Sequence, residues 1–74
     1  MPSESTQIAD DLRSVAERIA DEALTTLRKA MRAETEAAQA ELRKAEKRLT
    51  RARRAVEKAI SLLDGVDADA GVDE

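Results

Sequence analysis

Leu42, Leu49, Val56 and Leu63 recur at every seventh residue, and Ala38, Ala45, Ala52 and Ala59 form a parallel series four positions before them. Taken as the a and d positions of a heptad, the two series predict a coiled-coil seam of alternating large and alanine layers. The pattern reaches back to Met31 and breaks at Thr35 and Arg28. Alanine at every d position lets two helices approach closely, which suits an antiparallel pair. The first half is less regular. Ile8, Leu12, Val15 and Ile19 follow a heptad, but the next positions in phase are Glu22 and Thr26, while Ala23, Leu24, Leu27 and Met31 shift sideways. Such a slip predicts a stutter, which alters the local supercoil without ending the helix.

Nothing between Ser3 and Asp64 interrupts helix formation, because that stretch holds no Gly, Pro or Asn. The helical coiled-coil region is therefore expected over residues 6–64, after a flexible N-terminus at 1–5. Ser3, Ser5 or Thr6 serves as the N-cap, and Asp10 and Asp11 sit near the positive end of the helix. Gly65 is placed to stop the helix as its C′ residue, leaving 65–74 as a disordered acidic tail. The fold class is all-α, with two arrangements open. One is a single helix about 90 Å long. The other is a helical hairpin bending at 33–36, with Thr35 capping the second helix. The absence of turn-forming residues near Thr35 favours the long helix. In either case the thin seam has to be covered, giving an antiparallel coiled coil or helical bundle.

Charge sets the direction of packing. Residues 4–22 carry Glu4, Asp10, Asp11, Glu17, Asp21 and Glu22 against Arg13 and Arg18. Residues 43–58 carry eight cations against Glu46 and Glu57. A parallel in-register pair stacks like charges, whereas folding the pattern about residue 34 or 35 brings Asp10 and Asp11 toward Lys58, Glu17 toward Arg51 and Glu22 toward Lys47. The same fold sets Ile8 by Ile60, Leu12 by Val56, Ile19 by Leu49 and Leu27 by Leu42. The self-association seam is accordingly assigned to Leu42, Ala45, Leu49, Ala52, Val56, Ala59 and Leu63, with Ile8, Leu12, Ile19 and Leu27 on the other side.

Composition narrows the chemistry. The 74 residues contain no Phe, Tyr, Trp, His or Cys, and 15 of the apolar residues are Ala. A monomer built on so few large side chains is marginal, so self-association or a partner is expected. Without His or Cys there is no nucleophile–base pair and no metal-ligand cluster, and Glu34, Glu36 and Glu41 alone make no carboxylate site. Asp67, Asp69 and Gly71 match only the opening of a calcium loop, whose later Gly and Glu positions are not met. No catalytic, cofactor-binding or metal residue is assigned, and no cofactor or small-molecule substrate is expected. The N-terminal residues lack a basic-then-apolar leader, and no run approaches the ~20 apolar residues of a membrane span, so the cytoplasm is the expected location.

Lys44, Lys47, Arg51, Arg54 and Lys58 follow one another at three- and four-residue steps on the side away from the seam. The plainer reading is a solvated face that keeps the coil soluble. The sharper one is a stripe that contacts phosphates or an acidic partner, through charge alone, since no aromatic side chain is present to stack on bases. An apolar face made largely of Ala, with no Trp or Phe, argues against lying on a membrane. The sequence thus predicts a small non-catalytic coiled-coil protein that pairs with itself, as an antiparallel dimer, or with a helical partner protein. The alternative is a nucleic-acid-associated accessory protein using the basic stripe of residues 43–58.

Overall fold

A computed structural model describes residues 3–72 and the side chains of residues 3–66. It is a helical hairpin: α1 spans Glu4–Arg32 and α2 spans Glu36–Val72, packed against each other along their lengths. The molecule measures 61 × 19 × 11 Å. Among the described residues there is no strand.

Of the three candidate caps, Ser3 opens α1. Its extended backbone (φ −70°, ψ 165°) lets its Oγ accept from the Thr6 amide at 3.1 Å, while its carbonyl accepts from Gln7 at 3.0 Å. Glu4 in the first turn and Lys29 and Arg32 in the last complement the helix dipole.

The chain reverses at 33–35, so the hairpin is realised and the single long helix is not. Ala33 leaves α1 in an extended conformation (φ −65°, ψ 138°), its amide still donating to the Ala30 carbonyl at 3.3 Å. Thr35 then caps α2 as expected: its Oγ1 accepts from the Ala38 amide at 3.1 Å and its carbonyl from the Gln39 amide at 3.0 Å. Gln39 Nε2 donates back to the Ala33 carbonyl at 3.3 Å, tying the first turn of α2 to the end of α1. No described residue has a positive φ. A reversal built only from right-handed and extended residues has no need of Gly or Asn, which is why their absence is a poor argument against it.

The α1 face that meets α2 differs from the one its large side chains suggest. Ala9, Ala16 and Ala30 are buried, and Ala23, which completes this seven-residue series, is half-buried. Thr26 is buried too, its hydroxyl donating to the Glu22 carbonyl one turn earlier at 2.9 Å. Leu24 and Met31, which carry the expected sideways shift of the apolar pattern, are 47% and 71% exposed. The stutter is therefore absent. A continuous line of small residues faces α2, and a threonine with its hydroxyl satisfied by its own helix fits that line.

On α2, Leu42, Leu49, Val56 and Leu63 are half-buried and Ile60 is buried. Ala45 and Ala59 are half-buried, but Ala52 is exposed, so the inward face follows the leucine line and leans toward Ile60 rather than toward the alanines. α1 already supplies the small residues, and a second alanine line opposite them would leave the interface underfilled.

The helix does not stop at Gly65. α2 continues to Val72, and Gly65 lies within it without a positive φ. Glycine disfavours a helix interior by about 1 kcal/mol but does not forbid it. Of the expected acidic tail, residues 67–72 are described as backbone in the last turns of α2, and Asp73 and Glu74 lie outside the described residues, as do Met1 and Pro2 at the other end. A Cβ added at Gly65 meets nothing within 4 Å. Gly65→Ala is therefore expected to stabilise the hairpin by about 0.5–1 kcal/mol in urea titrations followed by circular dichroism. A left-handed stop at Gly65 predicts the opposite sign.

Candidate functional site

The residues that sequence periodicity assigns to association are mostly used inside the chain. Leu42, Ala45, Leu49, Val56, Ala59 and Leu63 of α2 are half-buried, as are Leu12, Ile19 and Leu27 of α1. Ala52 and Ile8 are exposed, Ile8 by 41%. A shallow groove lined by Val15, Arg18, Ile19, Glu22 and Leu49 shows Ile19 and Leu49 at the same level of the hairpin, as the folded pattern requires.

The packing these residues achieve is thin. No side chain larger than alanine is fully buried, and Ile60 is the one large apolar residue in the buried class among the described residues. Leu24, Met31, Leu62 and Val66 remain exposed alongside Ile8. The accessible surface is 5901 Å², whereas a compact monomer of this mass exposes roughly 4,500 Å². Two helices side by side bury one stripe each and leave their remaining faces to solvent or to something else.

Opposite charge across the hairpin makes one direct contact among the described residues. Among the described residues the ion pair that joins the two helices is Arg13–Asp64, at 2.7 Å, with Arg13 also holding Asp10 at 2.7 Å. The expected approaches of Asp10 and Asp11 to Lys58, Glu17 to Arg51 and Glu22 to Lys47 do not form ion pairs. The remaining pairs lie within α2: Lys44–Glu41 at 3.6 Å and Arg53–Glu57 at 3.2 Å. All four are solvent-exposed, so each contributes little to stability.

The basic stripe is exposed along its whole length. Lys44, Lys47, Arg51, Arg54 and Lys58 all face solvent. Lys44 has Glu41 beside it, while Lys47, Arg51, Arg54 and Lys58 form no ion pair among the described residues. Lys47, Arg51 and Arg54 border an open groove with Glu46 and Thr50, where the Thr50 hydroxyl donates to Glu46 Oε2 at 2.8 Å. Unneutralised cations on a rigid rod can hold a polyanion electrostatically.

Glu34, Glu36 and Glu41 are exposed, and among the described residues no three carboxylates gather into a set that could hold a metal ion. The carboxylates of Asp67 and Asp69 lie outside the described side chains. No helix among the described residues is long and apolar enough to cross a membrane.

Sequence reasoning missed one line of residues, the Ala9–Ala16–Ala23–Ala30 series. Its signal is present as a perfect seven-residue repeat. Bulkier apolar residues nearby mask it, although at a close helix contact small size is itself the signature. Comparison of the chain with protein-family models, with curated proteins and with solved structures returned no match.

Proposed function

We propose that this protein is a non-catalytic interaction module, a helical hairpin that acts by packing its outer faces against a second copy of itself or against a helical surface of another protein. The observation that carries the reading is the mismatch between a core of small residues and the large apolar side chains left outside it: Ile8, Leu24, Met31, Leu62 and Val66. Covering such side chains contributes roughly 25 cal/mol per Å² of apolar surface. A two-helix unit with so thin a core gains in stability whenever association covers them. The cytoplasm is the location that accompanies this reading.

A second reading rests on a separate observation, the row of exposed cations Lys47, Arg51, Arg54 and Lys58 with no acidic partner among the described residues of the hairpin. It makes the protein a nucleic-acid-associated accessory that contacts phosphates without reading bases. These cations lie away from the stripe facing α1, so the packing of the hairpin leaves them exposed to phosphates.

Size-exclusion chromatography with light scattering, run at low salt with a trace at 260 nm, tests both. The expected result is a mass at least twice the 8.1 kDa of one chain, with no 260 nm absorbance. The chain has no aromatic residue, so any 260 nm signal belongs to something bound. A signal that disappears at high salt moves the assignment to nucleic acid. A silent trace at monomer mass removes self-association and leaves pairing with a different helical protein.

A further inference from the structure

The outer faces of the hairpin are unequal, and one of them is complementary to itself. The Arg13–Asp64 ion pair marks one side. At about 100° per residue, Val15 lies some 200° around α1 from Arg13, and Leu62 lies equally far around α2 from Asp64. Both therefore belong to the opposite side, together with the residues seven away from each. That gives a line of Ile8, Val15, Glu22 and Lys29 on α1, and a line of Glu41, Arg48, Ala55 and Leu62 on α2.

The helices are antiparallel, so the lines are read in opposite directions. The groove in which Val15, Arg18, Ile19 and Glu22 meet Leu49 sets the level to within about one helical turn. At that level Ile8 stands near Leu62, Val15 near Ala55, Glu22 near Arg48, and Lys29 near Glu41. Two levels match apolar with apolar, and two match opposite charges. Of these residues only Val15 is partly used within the hairpin, half-buried in the groove beside Leu49. Ile8 and Leu62 are 41% and 66% exposed. Glu22, Arg48 and Lys29 form no ion pair among the described residues, and Glu41 touches only Lys44 at 3.6 Å.

We infer that this face binds a second copy of the chain, with a two-fold axis along the hairpin's length, to give a four-helix bundle. The inference rests on the interaction-module reading and adds the surface and the geometry. Rotation about that axis lays α1 of one copy over α2 of the other, which turns the four level matches into four contacts, each made twice. It also places the acidic half of α1 on the basic half of α2 of the second copy. A two-fold axis across the hairpin instead stacks each helix on its own copy, so that the cations of α2 meet cations. A face about 61 Å by 19 Å is large enough for the ~800 Å² per partner of a stable interface. The other side suits a copy less well. There Leu24 and Met31 rise beside an α2 edge that carries Arg43, Lys47 and Arg54.

Charge reversal with mixing tests the contact between copies. Glu22→Arg sets the introduced guanidinium against Arg48 at both sites of the dimer. Arg48→Glu sets the introduced carboxylate against Glu22 at both. Either variant alone is expected to dissociate at concentrations about tenfold or more above the native protein, by sedimentation velocity over a dilution series. In an equimolar mixture, a dimer of one variant with the other relieves both like-charge clashes. At one site two native residues meet, Glu22 of one chain and Arg48 of the other, and at the second site the two introduced side chains meet with their signs exchanged. That mixed dimer is expected to return to within about threefold of native. Both positions are exposed, so helicity by circular dichroism should stay native.

Weakening without recovery on mixing places the Glu22–Arg48 interaction inside one chain and overturns the proposal. A native-strength dimer in both variants overturns the assigned face while leaving self-association standing. A native chain that stays monomeric throughout the series overturns the proposal and self-association together, and leaves the helical-partner reading intact. As a second probe, the native chain has no cysteine. Ile8→Cys and Leu62→Cys proteins should form a mixed disulfide when combined, in preference to either symmetric one. The reverse preference overturns the orientation.

Discussion

Leu49→Asp is expected to abolish the folded hairpin. Leu49 sits in the first half of α2, half-buried, at the level of Ile19 in the middle of α1. Replacing it removes part of the roughly 1.5–3 kcal/mol that a leucine side chain contributes on burial. It also brings a carboxylate against an apolar stripe, at a further cost of several kcal/mol unless the helices part to hydrate it. Aspartate is in addition a poorer helix former than leucine. Against these losses, a single small core supplies no more than about 3–5 kcal/mol. Circular dichroism at 222 nm should show the helical signal largely lost at 25 °C, and light scattering should show the mass falling to that of one chain. Native helicity and native mass in this variant contradict the packing of α2 on α1, because Leu49 lies at the centre of the stripe that joins them.

The elements that can be read from the sequence are those in which side-chain chemistry acts locally. Thr35 is identifiable as a cap because a hydroxyl placed before a helix has one obvious use. Antiparallel packing is identifiable from the acidic residues 4–22 and the basic residues 43–58, since that imbalance survives any detail of contact. What misleads is reasoning from residues that are missing. The turn at 33–35 forms without a left-handed residue, so a chain lacking Gly and Asn reverses there all the same. Gly65, conversely, has the position of a helix stop and is not one, because glycine permits the left-handed conformation without requiring it.

The association surface is harder to read than the fold. Periodicity identifies positions that share a helix face but does not say which other helix that face meets. Leu42, Leu49, Val56 and Leu63 fit a contact between chains as well as a contact within one. Once the hairpin uses them, the residues left for a partner are those it leaves uncovered. Leu62 lies outside the main pattern and Ile8 within it, and both are exposed. Glu22, which interrupts the heptad of α1, becomes in the proposed dimer the charge that selects the level of a second copy.

Ala16→Leu is expected to destabilise the hairpin although it adds apolar surface. Leucine is almost as good a helix former as alanine, so the helix itself loses only a few tenths of a kcal/mol. The position decides the outcome. Ala16 is 8% exposed, in line with Ala9 and Ala30, which are fully buried. The extra carbons of leucine have no space between the helices, and the chain must either separate α1 from α2 or bend a side chain off its rotamer, at about 1–3 kcal/mol. For a domain of this size that lowers the melting temperature by about 5–20 °C. Ala40→Leu, at an exposed position of α2, is the control and should stay within about 0.5 kcal/mol of native. A higher melting temperature for Ala16→Leu than for native means that the alanine line does not set the helix spacing. Equal losses in the two variants point to helix propensity as the cause. A loss confined to Ala16 ties the stability of the hairpin to close approach of its helices, a packing that leaves Ile8, Leu24, Met31, Leu62 and Val66 exposed for a partner.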